Sequence, residues 1–237
     1  SARPHDWKEI LDDIFIEAGS RNIATYSEEI RGWLREAMFV SLFFALKYVA
    51  GTFGPYELLT ENLNLDMCNF RQSDLCMDPG EASFAFIPRS HRKSTIFTHG
   101  ADWWELVRNP DLKIGIKNAT ADKAKSFMRM TRAIFEINEM FHWLAPEYKP
   151  DRNAKRWNEN EFVLPNRSRV FPEPSVKAGG ITGASEGDHF DLFNADDLVG
   201  MDDLNSEHGS STTMESKKSW WNNNSSTLLM SPSKSRI

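Results

Sequence analysis

Apolar and polar positions change their rhythm along this chain. Ile10, Leu11, Ile14 and Phe15 recur at helical spacing, and residues 5–50 read as helices, with Tyr26–Ala50 forming one helix or a pair. Gly51-Thr52-Phe53-Gly54-Pro55 breaks the pattern, Leu58–Phe70 predicts a further short helix, and Asp78-Pro79-Gly80 is a turn signal. Beyond the turn, strand-like and helix-like runs alternate. Ser83–Ile87 predicts a buried strand and Ser94–Val107 a helix that stops near Asn109-Pro110. Leu112–Lys117 predicts a second strand. Thr120 is placed to cap a long helix with Ala124, Phe127, Met128, Ile134 and Phe135 on its apolar face, and Pro146 is a helix stop. Glu161–Leu164, Ser175–Ala178 and Phe190–Ala195 are further strand candidates. Strands alternating with helices predict an α/β fold with a mainly parallel sheet. The expected division is a helical N-terminal region over 1–80 and an α/β core over 81–237. The polar tail predicts one helix around Thr213–Trp221, and Ser235-Arg236-Ile237 resembles the opening of a strand.

Composition narrows the class. Of the 237 residues, 40% are hydrophobic and 26% charged, which suits a folded globular chain. The net charge of −6 argues against a surface coated in basic charge for nucleic acid, while leaving room for a local basic patch. Cys68 and Cys76 match no zinc spacing and suit a reduced thiol environment. The most apolar segment, Ala37–Ala50, contains Lys47 and is shorter than the about 20 residues of a bilayer span. It predicts a buried helix, and no membrane partner is expected.

Two segments carry the chemistry. The first runs from an apolar stretch into Pro88-Arg89-Ser90-His91-Arg92-Lys93-Ser94-Thr95, at the expected start of a helix. A helix N-terminus offers free N–H groups and a positive dipole end to phosphate. Lys93 adds a full charge for β- and γ-phosphates, and the Ser94 hydroxyl, or that of Thr95, is a ligand for Mg²⁺. The usual phosphate-loop spacing carries glycine where this chain has Ile87 and Arg92. A basic helix start after a core strand fits this segment equally well. The second segment, Asp191-Leu192-Phe193-Asn194-Ala195-Asp196-Asp197-Leu198-Val199, reads as a central strand with a carboxylate pair at its C-terminal edge. Open α/β sheets bind ligands there. Asp196 is expected to hold Mg²⁺ and Asp197 to position an attacking water. An acidic loop is the plain alternative, and Asp202-Asp203 shows that such loops occur in this chain. The two segments together favour nucleotide hydrolysis.

These segments resemble those of the large terminase subunit of tailed bacteriophages, the ATPase of the viral DNA-packaging motor. Residues 88–95 resemble that family's divergent Walker A, and Asp191–Val199 its Walker B. Asn118–Ala124, Trp143-Leu144-Ala145-Pro146-Glu147, Arg167-Ser168-Arg169, Glu173-Pro174-Ser175 and Gly179-Gly180 resemble intervening elements in the same order. The likeness covers about residues 82–200 well and 37–75 loosely. Ser90 stands where many relatives have glycine, and Asn194 interrupts an otherwise apolar strand.

The resemblance implies a RecA-like P-loop core and an ATP hydrolase using Mg²⁺. Arg89, Ser90, His91, Arg92, Lys93, Ser94 and Thr95 would be the ATP-binding residues, Ser94 and Asp196 the metal ligands, and Asp197 the catalytic base. Arg89, Arg167 or Arg169 would serve as an arginine finger, and solvated arginines beside a turn are the alternative for the last two. Implied partners are double-stranded DNA, portal protein, the small terminase subunit and further copies in a ring, in host cytoplasm during virion assembly. The family's motif III and C-terminal nuclease domain are expected beyond Ile237. A helicase-like NTPase, and an interaction protein that keeps the fold without hydrolysis, are the competing readings. Trp103, Trp104, Trp143 and Trp157 predict core or interface positions, and Trp220-Trp221 a covered patch in the polar tail.

Overall fold

Backbone pairing of four short strands organises the described part of the chain. In the computed structural model the described residues are 27–52, 59–73, 83, 85–88, 90–151, 153–181, 188–198 and 210–224. Strands β1 (Ile114–Asn118), β2 (Glu161–Phe162), β3 (Val176–Gly180) and β4 (Leu192–Ala195) form one sheet in the order β2-β3-β1-β4. β1 is parallel to both β3 and β4, and β2 is antiparallel to β3. The fold is therefore α/β with a mixed, mostly parallel sheet.

The two-residue period of a strand divides the sheet into two faces. Register places Ile114, Ile116 and Asn118 level with Val176, Ala178 and Gly180, and Ile114 and Ile116 level with Leu192 and Asn194. This even-numbered face carries the main core. The odd-numbered face presents Gly115, Lys117, Lys177, Gly179, Phe193 and Ala195. A Cβ on Gly115 would approach the Phe190 ring to 2.7 Å, so the missing side chain lets that ring lie against the sheet.

Seven helices complete the described fold: α1 (Glu28–Val40), α2 (Leu42–Phe44), α3 (Leu63–Arg71), α4 (Ala101–Arg108), α5 (Ala121–Ile137), α6 (Glu139–Leu144) and α7 (Ser210–Asn224). Local signals explain their ends. The Ser27 hydroxyl caps α1, Thr120 caps α5 and Asn138 caps α6, each accepting a backbone N–H of the first turn. The helix stop expected at Pro146 is seen as a short 3-10 turn, Pro146–Tyr148. The apolar segment 37–50 is buried as expected, through Met38, Leu42, Phe43, Leu46 and Val49, and continues from α2 as a π-helical turn, Ala45–Val49. No helix among the described residues is long and apolar enough to cross a membrane.

The N-terminal helices and the sheet share one apolar cluster, running from Leu34 and Met38 through Trp103, Phe135 and Phe141 to Val176 and Leu192. Specific polar contacts stitch it together. Trp104 donates its indole N–H to Met38 O, Asn138 donates to Val49 O, and Arg35 pairs with Glu147. Arg71 on α3 meets Glu105 on α4 at 3.1 Å, both nearly inaccessible to water.

Several expectations differ from the structure or fall outside the described residues. Ser83 and residues 85–87 are not assigned to a strand, and Phe84 between them lies outside the described residues. Among the described residues β4 pairs with β1 alone. The helical pattern before Ser27, the Asp78-Pro79-Gly80 turn, the boundary at 80/81 and Ser235–Ile237 lie outside the described residues.

Removing one member of a buried ion pair strands the other charge, at a cost of about 3–5 kcal/mol. Glu105→Ala should therefore lower unfolding free energy by about that amount in urea titration. The double variant Arg71→Met/Glu105→Leu should recover most of the loss.

Candidate functional site

The two segments singled out from sequence meet at the C-terminal end of β4. Lys93 Nζ lies 2.7 Å from Asp196 Oδ1 and 2.8 Å from Asp197 Oδ1, though the partners are over a hundred residues apart. The Ser94 hydroxyl donates to Asp196 Oδ2 at 2.6 Å, and the Thr98 hydroxyl donates to the same oxygen at 3.3 Å. Asp196 is thus a buried carboxylate with both oxygens engaged. Its backbone is pinned as well, with its N–H to Lys117 O at 3.0 Å and its carbonyl accepting from the Asn118 side chain at 2.6 Å. Asp197 differs: its side chain is 66% exposed against 7% for Asp196.

Backbone geometry explains how Lys93 and Ser94 arrive there. The Ile96 N–H bonds Arg92 O, and the helical path continues through a π-helical stretch, Thr95–Gly100, into α4. A Cβ on Gly100 would fall 2.3 Å from Thr95 O, so the π turn needs a glycine there. Just ahead, Ser90 has φ 70° and Arg92 has φ 64°. These are left-handed values that favour glycine. Arg92 stands where the usual phosphate-loop spacing carries glycine, so the chain takes a left-handed turn there without the residue that makes it free of strain. Asp197 is also left-handed, at φ 47°, which turns the chain just after β4.

Electrostatics follow from this packing. Burial acts to lower the Lys93 pKa, but hydrogen bonds and charge from Asp196 and Asp197 outweigh it and hold the ammonium above its ordinary value. Behind the carboxylate, burial pushes His99 down to about 4 against the opposing pull of Asp196. His99 stacks on Phe127 and stays neutral. On the odd-numbered face, burial lowers Lys117 to about 8, with Asp188 opposing and Lys177 reinforcing the shift. Its ammonium donates to Gly180 O and lies 5.8 Å from the Trp220 ring centre.

Other sequence candidates divide. Thr95 opens the π-helical stretch beside the site. His91 is exposed, with its ring Nδ1 3.3 Å from Pro88 O. Arg89 lies outside the described residues. Arg167 is a strut: it donates to the carbonyls of Glu173, Leu112 and Pro174 and lies over the Phe171 ring. Leu112 precedes β1, whereas the carboxylates lie past its far end. At about 3.3 Å per residue, the strand separates them by some ~17 Å. Arg169 is exposed on the same loop. Neither arginine reaches the carboxylates of its own chain.

Sequence reading missed Thr98 and Asn118. Thr98 lies one helical turn beyond Ser94, and Asn118 is a polar residue ending a buried strand. Either spacing could have flagged them. Asn194 is also accounted for, since its amide donates to buried Asp102 on α4.

Oxygen donors from Ser94, Asp196 and Asp197 converge where the Lys93 ammonium already holds positive charge, a donor set that suits a hard cation such as Mg²⁺. A scan against protein-family models finds no match to the chain, and a search of curated proteins finds none either.

Left-handed backbone costs a non-glycine residue about 1–2 kcal/mol. Arg92→Gly should therefore raise stability by up to about that amount in denaturant titration, while Arg92→Val, whose branched Cβ fits the left-handed region less well, should lower it. Depression of His99 carries its own sign. Between about 4 and the ordinary value of about 6.5, the unfolded chain binds the proton more readily than the folded one. Stability should thus fall as pH drops from about 6.5 towards about 4, and urea midpoints across that range should fall less steeply in His99→Phe.

Proposed function

We propose that this chain is the ATPase part of a DNA-packaging motor resembling the large terminase subunit of tailed bacteriophages. The observation that carries this reading is the convergence of Lys93 and Ser94, at a helix start, with Asp196 and Asp197, at a strand end. A lysine, a hydroxyl and two carboxylates with unequal exposure are the parts that phosphoryl transfer to water requires.

Each group has a distinct task in this reading. Lys93, held as an ammonium, contacts the β- and γ-phosphates of ATP. Ser94 and buried Asp196 hold Mg²⁺, which neutralises phosphate charge when bound. Exposed Asp197, turned outward by its left-handed backbone, orients the attacking water and takes its proton. In the free chain the two carboxylates grip Lys93, so nucleotide binding exchanges that ion pair for contacts with phosphate. Arg169 is held out from the opposite end of the sheet, so a finger from its loop acts on a neighbouring copy in a ring. Double-stranded DNA, portal protein and the small terminase subunit are the partners of this motor, with a RecA-like core as its fold.

The test is Mg²⁺-dependent ATPase activity in the full-length motor, with and without DNA. Asp197→Asn should leave ATP binding in place and slow hydrolysis by about 10²–10⁴-fold. Asp196→Asn should weaken Mg²⁺-dependent binding. Lys93→Ala should reduce ATP affinity by about ten- to a hundredfold, the worth of a charge-assisted contact of roughly 1.5–3 kcal/mol. An unchanged dissociation constant for Lys93→Ala in calorimetry would reject the phosphate site, and hydrolysis indifferent to DNA would reject the packaging role.

A further inference from the structure

A parallel ladder alternates in a fixed way, and the end of β1 departs from it. Register pairs Lys117 with Ala195, and the Asp196 N–H accordingly donates to Lys117 O at 3.0 Å. The next bond of a regular parallel ladder would run from the Ala119 N–H to Asp196 O. Ala119 instead donates to Asp197 O at 3.2 Å, one residue further on. Asp196 O takes its donor from the Asn118 side chain, whose Nδ2 lies 2.6 Å away. A side-chain amide thus stands in for a main-chain donor, and the main-chain donor it releases holds the next carbonyl.

Asn118 is fitted to this exchange by where it sits. Its own carbonyl is turned to β3, where it accepts the Ile181 N–H at 3.0 Å, so it reaches β4 through its side chain. The amide is oriented as well, because its Oδ1 accepts the Thr120 N–H at 3.3 Å and leaves Nδ2 for Asp196. The residue is buried, and a buried carbonyl that loses its donor must find another. For Asp196 O the regular ladder offers the Ala119 N–H. Asp197, whose carbonyl Ala119 holds, has φ 47°, a conformation that a residue other than glycine keeps where its surroundings fix it. From that position its carboxylate meets Lys93 Nζ at 2.8 Å.

We infer that Asn118 is a positioning residue for the carboxylate pair: by donating to Asp196 O it frees the Ala119 N–H to hold Asp197 in its left-handed turn, and so sets where the Asp197 carboxylate stands. Its effect on turnover runs through Asp197. Without the amide, Asp196 O reclaims the Ala119 N–H, the ladder runs on by one bond, and Asp197 leaves the left-handed region. The consequence for turnover rests on the role given to Asp197 above, whereas the hold on the backbone stands apart from it.

Backbone couplings of Asp197, read by NMR on the 237-residue chain, test the hold on the turn. They should report a positive φ in the parent and a negative φ in Asn118→Ala. Asn118→Ser keeps a short acceptor for the Thr120 N–H but is too short to donate to Asp196 O, so it should give the same change with less disturbance of the α5 start. A φ that stays positive in both variants would overturn the inference. Turnover is read in the full-length motor. Asn118→Ala should lower kcat by about 10²-fold, the cost of misplacing a reacting group by about 1 Å, while the ATP dissociation constant stays within about twofold of the parent's. Adding Asn118→Ala to Asp197→Asn should lower kcat by no more than about a further twofold, because the two substitutions remove one action. Losses that multiply in the double variant would also overturn the inference, since they would make Asn118 a general support of the fold. If Asp197→Asn alone leaves kcat unchanged, the role given to Asp197 falls, and the couplings decide for or against the hold of Asn118 on the turn.

Discussion

The buried carboxylate of Asp196 is the constraint around which the functional end of the molecule is arranged. A charge withdrawn from water must be matched by a cation and by donors on its remaining lone pairs. Lys93, Ser94 and Thr98 supply these from one helical run, and the pinned backbone at Lys117 and Asn118 fixes where the carboxylate stands. The helix start is thereby tied to the strand end. Without this tie, a loop carrying two strained left-handed residues would have little reason to keep one geometry.

Much of this was legible in the sequence because period and chemistry coincide locally. Thr120 followed by Ala124, Phe127, Met128, Ile134 and Phe135 specifies a capped amphipathic helix, and α5 has that cap and that buried face. Runs around Ile114, Val176 and Leu192 are apolar enough to read as strands, and they pair in parallel. Lys93 and the Asp196-Asp197 pair stand out as charges at the ends of apolar runs.

The features that stayed hidden depend on partners distant in sequence. Strand character in a run such as 85–87 is a propensity, and pairing with another strand decides whether it is realised. Arg167 looked like a free cation near a turn, yet three carbonyl groups hold it at the wrong end of the sheet. Arg92 stands where the usual phosphate-loop spacing carries glycine, and only the backbone angle shows that the chain turns left-handed there. Asn194 looked like a flaw in an apolar strand until its partner on α4 was in view.

Lys117 couples the far face of the sheet to alkaline conditions in two opposed ways. Its ammonium lies over Trp220, and that attraction requires the charge. Because burial lowers its pKa to about 8, the folded protein releases this proton well before the unfolded chain does. Above about pH 8 the global fold is relieved of a buried charge and gains stability. In the same window α7 loses its cation–π clasp and is held to the sheet by apolar contact with Phe193 alone among these interactions. Tighter folding and a looser helix thus arrive together, so a probe on Trp220 and a probe of global unfolding will report opposite trends from one deprotonation.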